Sequence, residues 1–150
     1  MRFYLLSRVA VALFVGVLIS GAVRAADTPP TLAQAKLVAA SDVVKAQSTG
    51  VTVIDTRIAS EYVDGHIKGA INVPYREKSA KAVGFDAGQD EFNLAKLPAD
   101  KGAAIVMYCN GPECWKSFKA STAAIKGGYT NIHWYRDGFP DWKSKGHPVE

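Results

Sequence analysis

The chain has 150 residues, 48% of them hydrophobic, with 18 basic against 14 acidic residues and a formal net charge of +4. Three of the arginines, Arg2, Arg8 and Arg24, stand before residue 26, which leaves 15 basic against 14 acidic residues beyond it, a net of +1. The remainder has no Lys/Arg run and no aromatic-basic stripe, which excludes a nucleic-acid surface, and two cysteines are too few for a disulfide scaffold, so their role is chemical or a single local bridge.

Residues 1–25, "MRFYLLSRVAVALFVGVLISGAVRA", place two arginines ahead of an apolar core from Val9 to Ile19 and end on small residues. This predicts a secretory signal peptide cleaved before Ala26 and a periplasmic product. The apolar run is shorter than the roughly 20 residues of a spanning helix, so stable membrane insertion is not expected. Residues 26–150 are then one compact domain, a natural size for such a length.

Along that domain, strand and helix signals alternate. Ser41 to Gln47 reads as a helix with Ser41 as its N-cap. "GVTVIDTR" (50–57) is a β-branched strand, Ser60 to Val63 a short helix, and "GAINVP" (69–74) a second strand. The stretch from Arg76 to Gln89 reads as a surface excursion with one helical turn, and Asp90 to Leu97 as a helix ended by Pro98. "AAIVMYC" (103–109) is a third strand, Ser117 to Lys126 a helix stopped by Gly127-Gly128, and "NIHWYR" (131–136) a weaker fourth strand. Continuous apolar strands separated by helices predict an α/β domain with a mostly parallel central sheet flanked by helices on both faces.

In such sheets ligands bind beyond the carboxyl ends of the strands, where helix N-termini also point. Cys109 stands at such an end. After it come Asn110, Gly111, Pro112, Glu113, Cys114, Trp115 and Lys116, a short connection in which Gly111 permits unusual backbone angles and Pro112 fixes one. The other amides can turn inward as an anion nest. A thiol at the base of a nest, near Lys116 and a helix start, is acidified toward the reactive thiolate, which makes Cys109 the candidate nucleophile. Cys114 can reach it only if the loop curves, because a disulfide needs Cα atoms within about 7 Å. Packing of Cys114 against the helix fits the sequence equally.

Three stretches resemble the rhodanese-like domain family. "VIDTRIASEYVDGHIKGAINVPY" (53–75) is similar to its first signature, "IVMYCNGPECWKS" (105–117) to its active-loop strand, and "WYRDGFPDWKSKGHPVE" (134–150) to its closing segment, with Gly138, Trp142 and Pro148. They cover nearly all of the predicted domain in the family's order. The nearest likeness is to single-domain periplasmic members with a second cysteine followed by Trp in the loop. The resemblance implies a rhodanese-like fold and a sulfurtransferase that needs no cofactor. Cys109 would attack a small sulfane-sulfur donor such as thiosulfate or polysulfide, carry the sulfur as a persulfide cradled by residues 110–116, and pass it to a thiol or cyanide acceptor; no protein partner is implied.

The loop departs from the family pattern, which places Arg or a similar residue five after the cysteine and directly before the helix Ser. Here the fifth position is Cys114 and the Ser is Ser117, so the loop is longer, and Glu113 within it repels anions. Longer loops in some relatives hydrolyse phosphoesters through a Cys-x5-Arg pattern, but no Arg follows Cys109 until Arg136, and Lys replaces a bidentate Arg poorly. A second reading is a non-catalytic redox or sulfur-binding module in which Cys109 and Cys114 form a disulfide in an oxidising compartment. His66 reads as a hydrogen-bonding turn residue, and His133 and His147 lack the spacing of a metal site. Asp55, Arg57 and Glu61 read as structural ion-pairing residues, Trp134, Tyr135 and Trp142 as packing, and Trp115 as either pocket wall or packing.

Overall fold

The computed structural model describes residues 26–150, so the predicted signal peptide lies outside the described residues. Five strands form one parallel sheet: β1 (Ala35–Leu37), β2 (Thr52–Asp55), β3 (Ile71–Asn72), β4 (Ile105–Tyr108) and β5 (Ile132–Tyr135), in the order β1-β5-β4-β2-β3. Among the described residues four α-helices accompany them: α1 (Ala40–Ser48), α2 (Ala59–Val63), α3 (Trp115–Lys126) and, after the last strand, α4 (Gly138–Ser144).

Alternation along the strands sorts the core into two layers. Val53, Val106, Tyr108 and Tyr135 pack with Val43 of α1 and with Phe139 and Trp142 of α4. Ile54, Ile105, Met107 and Ile132 face the other way, against Ala120 and Ala124 of α3. The sheet is therefore covered on both faces, which is why its central strand reads as an unbroken apolar run.

Departures from the sequence reading have local causes. The first helix begins at Ala40, so Ser41 lies inside it; Ala39 is the N-cap, and its N–H donates to the Asp42 carboxylate at 3.1 Å. The predicted helix from Asp90 to Leu97 is replaced by an antiparallel bridge between Arg76 and Glu91 and a 3₁₀ turn over Leu94–Lys96. The Asp90 carboxylate accepts from the Tyr75 hydroxyl and from the backbone N–H groups of Lys78 and Ser79, at 2.6 to 2.8 Å. These tertiary bonds hold residue 90 in extended backbone and override the helical propensity of the segment. The excursion before it carries its one turn at Ala87–Gln89 but is more than surface, since Ser79 and Phe85 are buried.

β2 runs on through α2 to β3 on one side, and β4 through α3 to β5 on the other. The carboxyl ends of the adjacent strands β2 and β4 thus flank a topological switch point, where open parallel sheets leave a crevice. Asp55 ends β2 and Cys109 follows β4.

Candidate functional site

Cys109 leaves the central strand at 1% exposure. The chain then curves tightly enough that Cys109 and Cys114 are joined as a disulfide, with 6.2 Å between their Cα atoms. The curvature is stabilised within the loop by the Cys114 N–H donating to the Gly111 carbonyl at 3.0 Å, and Gly111 itself has φ +110°, a conformation open to glycine. α3 starts at Trp115, two residues ahead of the predicted start, so Cys114 and not Cys109 occupies its N-cap. Ser117, read from the sequence as the helix start, lies inside and accepts from the Trp134 indole N–H at 3.0 Å.

Three outside elements fix the loop. From the α4 side, the Phe139 N–H donates to the Cys109 carbonyl at 2.8 Å. That approach needs Gly138, at φ +64°, because a Cβ there would lie 2.2 Å from the Cys109 carbonyl oxygen. From the N-terminal side, Thr28, 2% exposed, donates both its N–H and its hydroxyl to the Pro112 carbonyl at 2.8 and 2.9 Å. Arg136 holds Thr28 in turn, with Nε to its hydroxyl at 3.0 Å and Nη2 to its carbonyl at 2.7 Å. The Trp115 indole donates to the Ala26 carbonyl at 2.8 Å. From the β2 side, Asn110 donates its side-chain amide to Glu61 Oε1, and the Asn110 oxygen lies 3.5 Å from Arg57 Nη1.

Asp55 and Arg57 form the structural ion pair expected of them, buried, with a closest contact of 2.5 Å. Arg57 also donates to the Gly65 carbonyl at 2.7 Å and stacks over the Phe139 ring. Burial opposes its charge, but the hydrogen bond and field of Asp55 prevail and raise its pKa. Tyr108 donates to Asp55 at 2.6 Å; burial first, and then Asp55, push the phenol far above its ordinary pKa. Glu61 exceeds the role read from sequence, for besides bonding the Ile58 N–H in the first turn of α2 it reaches the loop at Asn110 and lies 3.9 Å from Lys116 Nζ. Lys116 therefore shares its charge with an acid instead of serving the thiols alone.

A cleft of about 240 Å³ opens beside the loop, lined by Asn110, Glu113, Cys114, Trp115 and Lys116 and, from the excursion, by Glu77 and Lys81. Cys114 is half-buried at its wall and Glu113 is exposed at its rim. Trp115 both borders the cleft and packs: it is 3% exposed and stands edge-on to Phe118, which stands edge-on to Trp134. Pro112 faces Thr28 and is absent from the cleft lining.

The excursion's contribution had no signal in the sequence. Lys119 of α3 is fully buried, 3.0 Å from Glu77 and 3.6 Å from Asp90, and donates to the Ser79 carbonyl and hydroxyl at 3.1 and 2.8 Å. Glu77 Oε2 makes no hydrogen bond, so its contact with Lys119 is an ion pair without good bond alignment. Nothing in the local pattern around Lys119 separates it from a solvated helix lysine. His66 has the structural role expected, with Nδ1 2.9 Å from the Tyr62 carbonyl and its ring stacked on Tyr62. Among the described residues no three His, Cys, Asp or Glu side chains gather as metal ligands.

The profile of the rhodanese-like domain family matches residues 39–145. Thiosulfate:glutathione sulfurtransferase from Saccharomyces cerevisiae is 30% identical over 104 residues, covering 69% of this chain and 73% of that protein. The HTH-type transcriptional regulator Rv0324 of Mycobacterium tuberculosis is 34% identical over 100 residues, 67% of this chain, which spans only 38% of the regulator's length. Among solved structures, BH2092 protein from Bacillus halodurans superposes with a TM-score of 0.58 at 23% identity, over 77% of each chain, which supports the fold. The alternating parallel architecture, the cysteine after the central strand and the span of the profile match agree: this chain belongs to the rhodanese-like domain family.

Proposed function

We propose that the protein is a sulfurtransferase in which Cys109 receives a sulfane sulfur and passes it to a thiophilic acceptor. The observation that carries the reading is the position of Cys109, directly beyond the central strand at the sheet's switch point and beneath a loop that other elements hold from three sides. With thiosulfate as donor, the Cys109 thiolate attacks the outer sulfur, an S–S bond forms to Cys109, and sulfite leaves with the electron pair of the broken bond. Cyanide or a thiol then attacks the outer sulfur of the persulfide and restores the thiolate. The disulfide form is inert in this cycle and enters it only after reduction.

The cleft's charge tunes the donor. Glu77 and Glu113 oppose a dianion, and Lys81 and Lys116 offset them, Lys116 with an acid already beside it. Thiosulfate turnover is therefore modest beside that with less charged polysulfur donors. With residues 1–25 read as a cleaved leader, the site of action is the periplasm, and a mature N-terminus at Ala26 is the result expected from sequencing of secreted protein; an intact Met1 chain in the membrane fraction would refute it.

The disulfide favours one alternative, a redox module that carries no sulfur. Intact-mass analysis separates the two. Reduced protein freed of reductant and exposed to thiosulfate or polysulfide gains the mass of one sulfur atom, and Cys109→Ser does not. If Cys114→Ser, which cannot close the disulfide, also stays unloaded, and the wild type shows only the two-hydrogen loss with neither sulfite nor sulfide released, the redox reading replaces the transferase.

A further inference from the structure

Resting on Cys109 as the sulfur carrier, we infer that the loop has a second activity: it reduces the carried sulfur to sulfide by closing the Cys109–Cys114 disulfide. In a persulfide, attack on the outer sulfur transfers it, whereas attack on the inner sulfur expels it. Geometry assigns the second course to Cys114, because the loop brings its sulfur into bonding contact with Cys109 Sγ, the atom that is inner when sulfur is carried. In this disulfide form Cys109 is 1% exposed and the cleft is lined by Cys114 and not by Cys109, so Cys114 is the side chain that stands between the cleft and Cys109 Sγ.

The attacker is also well placed electronically. Cys114 is the N-cap of α3, a helix of 12 residues, and its side chain makes no capping hydrogen bond. A helix N-terminus favours the thiolate over the thiol. The Cys114 thiolate attacks Cys109 Sγ, the bond from Cys109 to the outer sulfur breaks, and hydrosulfide leaves with its electron pair. The carried sulfur is reduced by two electrons and the cysteine pair is oxidised to the disulfide.

Resetting the loop requires a dithiol reductant. Cys114 is the accessible half of the disulfide, so the first thiol of the reductant bonds Cys114 Sγ and expels Cys109 as thiolate, and the second thiol releases Cys114 and closes the reductant's own disulfide. The net reaction converts one sulfane sulfur and one dithiol to sulfide and one disulfide.

The test uses the chain from Ala26 to Glu150 with its reductant removed under anaerobic conditions, loaded by thiosulfate and freed of excess donor. Sulfide is followed without added thiol, mass is read at the end, and cyanide counts the sulfur still held. Wild type should release one sulfide per loaded chain at a rate independent of dilution and finish two hydrogens lighter than the reduced form. Cys114→Ser should release sulfide at least about tenfold more slowly, because its hydroxyl supplies no thiolate, and Cys114→Ala should repeat that result. Equal release from wild type and both variants, or release that leaves no disulfide, overturns the inference while the transferase reading stands. Failure of both Cys114 variants to load at Cys109, with each shown to be folded and with no sulfite released by the wild type on exposure to thiosulfate, overturns both.

Discussion

Gly138→Ala tests whether the α4 turn positions the loop or merely follows it. The new Cβ would lie 2.2 Å from the Cys109 carbonyl oxygen, 2.7 Å from the Gly111 nitrogen and 2.9 Å from the Cys109 carbonyl carbon, all backbone atoms that no rotamer change can move aside. Restoring even a 3.0 Å contact needs a displacement of about 0.8 Å, in an interior whose packing resists it. Alanine at φ +64° costs about 1–2 kcal/mol, and losing the Phe139 to Cys109 hydrogen bond costs about 1 kcal/mol more. A destabilisation of about 3 kcal/mol follows, or about 10 °C in melting temperature for a domain of this size. Urea unfolding of the oxidised protein measures it, and the rate of persulfide formation in the reduced protein measures the effect on the loop. An alanine variant within about 0.5 kcal/mol of wild type that also loads sulfur at the wild-type rate would refute the argument, since that is the range of substitutions that disturb nothing.

Asp90→Asn should flatten the acid limb of the stability curve: burial raises the Asp90 pKa, but bonds from Ser79, Lys78 and Tyr75 outweigh it and hold the carboxyl well below the usual range. A depressed folded pKa contributes stability that is full above the unfolded value near 4 and fades as pH falls through the folded one, so the variant's deficit should be greatest at neutral pH and shrink toward pH 2, as urea midpoints across that range would record. Lys119→Met, which leaves the buried Asp90 carboxylate and the partly buried Glu77 without their cation, should cost about 3 kcal/mol by the same measurement. Thr28→Val removes one donor to Pro112 and the acceptor of Arg136 Nε; about 1–2 kcal/mol of stability should go, and thiol trapping should find the loop disulfide reduced several-fold faster. Glu113→Gln should lower KM for thiosulfate more than for a less charged polysulfur donor, and equal changes in initial-rate assays would count against the electrostatic account of the cleft.

The sheet is legible because burial on both faces writes itself as unbroken apolar strands, and the placement of the candidate site beyond the sheet's central strand because Cys109 follows the most apolar of them. What escaped the sequence was fixed by contacts distant along the chain. Ala35–Leu37 went unread as a strand because its three residues gain their pairing only from β5. The segment around Asp90 reads as helix because nothing local announces that Tyr75, Lys78 and Ser79 bond its carboxylate. Ser117 reads as the start of α3 because serine caps helices well, yet its hydroxyl is committed to Trp134. The clamp through Thr28 joins residues 84 positions apart to Pro112 and 108 apart to Arg136, and no spacing rule reaches that far.

In the proposed cycle, the same fastening that brings the two sulfurs together would limit how long a persulfide survives. A well-oriented intramolecular nucleophile acts at an effective concentration of about 10⁵ M or more, so an external acceptor competes only while Cys114 is held off line. Adding one sulfur to Cys109 inserts an S–S bond of about 2 Å where the loop, in its disulfide form, holds the two sulfurs bonded to each other. The loop must therefore yield when sulfur is loaded. Its Cys109 carbonyl is fixed by Phe139 and its Pro112 carbonyl by Thr28, which leaves the stretch from Glu113 to Cys114, at the exposed rim, as the part that moves. In the proposed cycle loading would displace Cys114 toward the cleft and open the outer sulfur to an acceptor, and return of Cys114 would expel that sulfur as sulfide. The ratio of transfer to release is then set by the stiffness of a few loop residues, and the acceptor's intrinsic reactivity enters only during the interval that the loop stands open.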